Sequence, residues 1–247
     1  MIRRVIFVLI ILLLAAGGVS AQTDFDTMSK NIVTFDLGPA IVFGGVNILA
    51  GNLLKDIDGG ISIGNSGFGF GFQYERHIMQ RLSVAGRFSY LGFGVGYSDE
   101  YASLEIDFSS LSIEGHARYY PLKGTFFIDG MTGYSRFTLG LSGKIDNKDV
   151  SFSEPRNFIK FGAKTGWRFS SGKTWGFVFE ISAGYNFAFG MGDDFEVRII
   201  NKIADIMDVD ANDVAEEVNE FTSYFGLLEN LVFVGGPRIT ISVGFRF

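Results

Sequence analysis

Hydrophobic and polar residues alternate one for one in eight separate stretches of this chain, the period-2 signature of strands with one apolar and one polar face. The first, Asn31 to Phe43, sets Val33, Phe35, Leu37 and Ile41 against Thr34, Asp36, Gly38 and Ala40. The second sets Phe68, Phe70, Phe72 and Tyr74 against glycines, Gln73 and Glu75, and the third sets Leu82, Val84, Phe88 and Tyr90 against Ser83, Ala85, Arg87 and Ser89. Leu111 to Tyr119, Phe126 to Tyr134, Ile159 to Phe169, Trp175 to Phe187 and Ile239 to Phe247 continue the pattern. Short turns at 77–80, 121–124 and 171–174 alternate with longer connections near 44–65, 96–102, 143–155 and 191–234. Long loops at one end and tight turns at the other predict an all-β, eight-stranded antiparallel up-and-down barrel spanning residues 31–247.

Volume decides which face is inside. An eight-stranded barrel has an interior just wide enough to be filled by side chains, too narrow for the rings of Phe68, Phe70, Phe72, Trp175, Phe177 and Phe179. Those rings therefore face lipid, and the other face fills the lumen. It carries Asp36, Glu75, Glu114, Asp129 and Glu180 together with Arg87, Arg118, Lys160, Lys164, Arg168 and Arg246. Isolated charges in so narrow a bore are costly, so a paired network that blocks it is expected, with no large open pore.

The pattern inverts further along three strands. Apolar positions change parity after Tyr90 to Leu91, Phe93 and Val95, between Phe108 and Leu111, and between Tyr134 and Phe137. Counted from the turns, the three breaks fall at one height. Three aligned β-bulges would produce this. A simpler reading keeps the register continuous and changes the surroundings: the barrel leaves the membrane after nine or ten residues and stands in water, polar outside and apolar inside. Leu91, Phe93, Ile106, Phe108, Phe137, Leu139 and Leu141 then line an apolar upper interior, a candidate ligand-binding wall.

In the last connection, 191–234, Ile199, Ile203 and Ile206 recur at helical spacing, as do Val214, Val218, Phe221, Phe225 and Leu228, and Asp213 with Glu216 forms a capping-box pattern. A helical pair is expected there, its apolar stripes seeking the barrel mouth.

Composition narrows the function. Residues 1–21 hold Arg3-Arg4, an apolar run from Val5 to Ala16 and a small-residue site ending at Ala21, the three regions of a secretory signal peptide cleaved after Ala21, with 22–30 as a periplasmic segment. Its removal takes the formal charge from −6 to −8, which argues against a nucleic-acid partner. With Cys 0 and His 2, thiol chemistry and a zinc site are excluded, and no cofactor is expected. Of the two histidines, His77 lies in a turn. His116 points into the lumen between Glu114 and Arg118, as a hydrogen-bonded residue or, less simply, a general base. Asp208, Asp210 and Asn212 begin a calcium-loop pattern, but Asp213 stands where Gly is required and Asn219 where Glu is. Gly172-Lys173-Thr174 is a strand turn, not a phosphate loop.

The stretch ending in Val243, Phe245 and Phe247, with Phe last, resembles the C-terminal assembly signal of bacterial outer-membrane barrels. From Asn31 onward the strand and turn pattern looks like the small eight-stranded OmpA, OmpX and OmpW types. The resemblance implies an outer-membrane location, membrane lipids and the barrel assembly machinery as partners, and a non-enzymatic role. Two functions compete. An apolar upper interior similar to that of OmpW-type proteins would bind or pass a small hydrophobic ligand; alternatively the last loop fills that space and the barrel serves structure or surface interaction. A lipid-modifying enzyme using Ser and His is a weaker third reading, and a soluble periplasmic ligand-binding barrel would have to turn its Phe-rich face inward.

Overall fold

The computed structural model describes residues 31–37, 60–63, 68–98, 102–122, 125–145, 148–172, 175–192, 195–207, 210–212 and 235–247. The expected signal peptide, the 22–30 segment and the second loop helix from Val214 onward lie outside them.

Eight antiparallel positions close into a ring. Strand β1 (Asn31–Asp36) pairs on one side with β3 (Phe68–Met79) and on the other with β9 (Gly236–Arg246). Between these run β4 (Leu82–Ser98), β5 (Ala102–Leu122), β6 (Phe126–Ile145), β7 (Lys148–Ser170) and β8 (Gly176–Met191), each paired with its sequence neighbours. A short β2 (Gly60–Ile63) pairs with the upper part of β4, Ile63 opposite Val95, and so prolongs the place of β3 around the wall. Closure leaves no free sheet edge in the membrane, where an unpaired peptide group would find no water.

Side chains alternate as the volume argument requires. Phe68, Phe161, Phe177 and Phe187 are exposed on the outer wall, as are Trp167 and Trp175. The opposite parity is buried: Thr34, Gln73, Glu75, Arg87, Glu114, Arg118, Asp129, Lys160, Lys164, Arg168 and Glu180 all point inward. Cross-strand glycines make room for some of them. Gly133 stands opposite Glu114, where a Cβ would come within 2.9 Å of the Glu114 Cγ, and Gly184 opposite Lys164, where it would come within 2.4 Å of the Lys164 Cβ.

Strands β4 to β7 are much longer than the ~9–11 residues a tilted strand needs to cross a bilayer, reaching 23 residues in β7. The connections expected at 96–102 and 143–155 are thus mostly strand: β4 continues to Ser98 and β5 starts at Ala102, while β6 runs to Ile145 and β7 begins at Lys148. Alternation did not stop there; it changed sign, which masked the strands. Pairing is unbroken through all three parity changes, from Tyr90 to Gly92 in β4, Phe108 to Leu111 in β5 and Tyr134 to Phe137 in β6. Among the described pairings of these strands, the register shifts between His77 and Met79, where β3 meets β4, and between Tyr119 and Leu122, where β5 meets β6, both at the short-turn end. The breaks are therefore changes of environment and not bulges.

Helix α1 (Phe195–Met207) follows β8 and returns toward β7. It accounts for the Ile199, Ile203 and Ile206 spacing in the sequence.

Candidate functional site

The lumen holds two stacked layers of opposite character. The lower one is ionic. Arg118 is fully buried and donates from Nη1 to Glu75 Oε2 at 2.8 Å and to Glu180 Oε2 at 2.9 Å, and from Nε to Asp129 Oδ2 at 2.6 Å. Arg168 binds the same two glutamates, its Nη2 lying 2.5 Å from Glu75 and 2.8 Å from Glu180. Lys164 reaches Asp129 at 3.4 Å. One turn of the ladder higher, Glu114 gathers Lys160 at 2.7 Å, Arg238 at 3.1 Å and Arg87 at 3.4 Å, and Arg87 also pairs with Asp36. Each carboxylate thus meets more than one donor, the condition under which buried ions are tolerable.

Of the eleven charged residues expected in this network, Arg246 departs from it. It is buried, but its Nη1 donates to Ser170 Oγ at 3.0 Å and no carboxylate among the described residues pairs with it. It sits at the end of β9, opposite Gly176, whereas Glu180 stands opposite Ser242. Sequence reasoning missed Tyr120 and Arg238, and placed Gln73 on the inner face without naming it in the network. Tyr120 donates to Glu75 Oε1 at 2.6 Å and Gln73 accepts from Arg118 at 3.2 Å. The signal was parity alone: Tyr120 continues the inward even positions of β5, and Arg238 those of β9. His116 lies where expected, its Nδ1 3.0 Å from Asp129 Oδ1, and His77 is 3.8 Å from Glu75. Among the described residues no group of three or more His, Asp or Glu side chains is placed to hold a metal.

Above the ions the interior turns apolar. Phe137, Leu139, Phe152 and Phe158 form a buried cluster with Phe195 and Ile199 of α1, and Ile106, Phe108, Leu141, Ile203 and Ile206 pack against it. Phe93 stacks on Phe108 with ring centroids 4.9 Å apart, and Leu91, half-buried, lies at the base of this layer on the inner parity of β4. All seven expected wall residues therefore share the inner face, yet five of them, Ile106, Phe108, Phe137, Leu139 and Leu141, pack in or against the cluster in which helix α1 is seated. Glu154, an inward acid of β7 hidden in the misread 143–155 connection, fixes α1: Arg198 Nε lies 3.1 Å and Lys202 Nζ 3.0 Å from its carboxylate. Burial raises the Glu154 pKa, but hydrogen bonds and charge from Lys202 and Arg198 outweigh this and hold it below the usual carboxylate range.

A barrel whose rings face outward around a charged interior is built for a lipid solvent, and the family model described as outer membrane protein beta-barrel domain matches residues 9–221. The chain belongs to that family. This outer-membrane barrel accordingly presents Val243, Phe245 and Phe247 on its outer wall, Phe245 packing on Phe177 at 4.6 Å. Its fold is similar to that of the attachment invasion locus protein Ail of Yersinia pestis, at 11% identity and a TM-score of 0.41 over 89% of this chain and 99% of that one. Ail in complex with the heparin analogue sucrose octasulfate gives 13% identity and 0.42 over the same shares. CarO of Acinetobacter baumannii gives 14% and 0.31, over 77% of this chain and 98% of that one. No curated protein gives a significant match.

Proposed function

We propose that this outer-membrane barrel is a closed, non-enzymatic surface protein, its lower bore blocked by ion pairs and its apolar mouth filled by the protein's own last loop. The observation that carries this reading is the seating of Phe195 and Ile199 in the cluster formed by Phe137, Leu139, Phe152 and Phe158. Full burial of two such side chains stabilises the docked loop by roughly 1.5–3 kcal/mol each, enough to keep a competing hydrophobic ligand out unless it brings comparable area. The wall of Leu91, Phe93, Ile106, Phe108, Phe137, Leu139 and Leu141 then acts as the core of a rigid external platform.

The double substitution Phe108→Ser with Leu139→Ser tests this in the protein reconstituted into phosphatidylcholine nanodiscs. The expected result is that trypsin gains access to Arg198 and Lys202 while the barrel keeps its heat-modifiable gel migration. The unsubstituted protein is expected to bind no N-phenylnaphthylamine. Saturable one-to-one uptake of that dye by the unsubstituted protein, lost in the variant without any gain in proteolysis, would replace the platform by a hydrophobic-ligand chamber.

A further inference from the structure

On the outer wall of β5, β6 and β7, above the lipid-facing residues, Asp107, Ser109, Thr138, Ser142, Ser151 and Ser153 surround a groove of about 280 Å³. Pairing places them as one patch. Asp107 stands opposite Gly140, and Gly140 opposite Ser153. With strands ~4.8 Å apart, Asp107 and Ser153 face each other across about 10 Å with only a glycine between, a notch the width of one sugar ring with its substituents. The Asp107 carboxylate is flanked by glycine on both sides. A Cβ at Gly94 would lie 2.9 Å from its Oδ1, and one at Gly140 would lie 3.9 Å from its Oδ2. No cation among the described residues pairs with it, and none of the five hydroxyls has a hydrogen-bonding partner among the described residues.

From this geometry we infer a binding site for a neutral saccharide. Five hydroxyls that both donate and accept, beside a carboxylate that only accepts, match a ligand rich in hydroxyl groups. An apolar ligand would strip water from those groups without replacing its hydrogen bonds. An anionic ligand would meet Asp107, and Glu105 next to it on the same exposed face, with no lining cation to offset the repulsion. The glycine floor lets a ring approach the backbone of β6. The site opens on the outer face of the wall, and Leu141 and Phe152, which also belong to the α1 cluster, complete its lining. Saccharide can reach the groove from two sources, as free glycan or as the headgroup of a neighbouring glycolipid.

The test uses the full chain in phosphatidylcholine nanodiscs, free of sugar-based detergent, titrated with maltohexaose, cellohexaose and mannohexaose and followed by saturation-transfer NMR. A second arm incorporates monogalactosyl diacylglycerol in the nanodisc and follows the groove resonances. Spermidine and dextran sulfate serve as charged probes. Saturable binding of a neutral hexasaccharide identifies a free-glycan site, and shifts at Ser151 and Ser153 with the glycolipid alone identify a membrane-borne one. In either case Asp107→Asn weakens binding about tenfold, the size of one lost charge-assisted hydrogen bond. Gly140→Leu abolishes it, since its Cβ fits at 3.4 Å from the Asp107 Cβ and its branches fill the notch. Ser103→Ala, outside the groove, leaves binding unchanged. The inference is overturned if no neutral saccharide binds in either arm at millimolar concentration, if only spermidine or dextran sulfate binds, or if Gly140→Leu, with normal gel migration, binds as well as the unsubstituted protein.

Discussion

Replacing Arg118 by Met probes the ionic layer most directly, because this one guanidinium touches Glu75, Asp129 and Glu180 and also lies over the Phe127 ring at 4.6 Å. Methionine keeps much of the aliphatic volume and removes the charge. Breaking a buried ion pair costs about 3–5 kcal/mol when it leaves a charge uncompensated. Here compensation is partial: Arg168 still holds Glu75 and Glu180, and Lys164 still faces Asp129 at 3.4 Å. The expected loss is therefore at the low end, about 3 kcal/mol, or roughly 150-fold in the folding equilibrium. Glu75→Gln is the companion. The two changes share a contact, so their effects are non-additive, with a coupling of about 0.5–3 kcal/mol. Urea unfolding from phosphatidylcholine nanodiscs, followed by the fluorescence of Trp167 and Trp175, measures both. These are the two tryptophans of the chain, and both sit on the lipid-facing wall. An R118M variant within about 0.5 kcal/mol of the unsubstituted protein, or strict additivity with E75Q, would refute the view that these ions stabilise the lumen as one network.

Other outcomes follow from the same layers. Ile199→Ala removes a buried side chain of α1 and should loosen the loop by about 2–4 kcal/mol, read as faster hydrogen exchange in residues 195–207 with no change in the barrel strands. Because its partners hold the Glu154 pKa low in the docked state, its contribution to docking is complete at neutral pH and is lost as pH falls through and below the ordinary carboxylate range. Exchange in α1 should therefore accelerate in acid, and Glu154→Gln should abolish that dependence at a cost under about 1 kcal/mol, since Arg198 and Lys202 are partly exposed. Phe161→Arg, on the lipid-facing wall of β7, should destabilise by about 2–4 kcal/mol, whereas Ser103→Arg, near the tip of β5, should be close to neutral by the same urea assay. Planar-bilayer recording should show no large steady conductance.

Local alternation determined the strands of the membrane band, and the mismatch between ring size and barrel bore determined which side met lipid. Both are properties of nearest neighbours along the chain, legible at Phe70 or Glu75 without coordinates. Parity also carried Leu91, Phe108 and Leu139 to the inner wall, because a strand cannot turn over without breaking its ladder. What parity could not supply was partnership. Glu114 collects Lys160 and Arg238 from positions 46 and 124 residues away, and nothing in either sequence neighbourhood marks the pairing, which exists only once the ring closes. The same holds for Glu154 with Arg198, and for the notch at Gly140, where three strands must lie side by side before a missing side chain becomes a space. The contact between the apolar mouth and the last loop likewise exists only after closure, when the helix after β8 brings Phe195 into one buried cluster with Phe158.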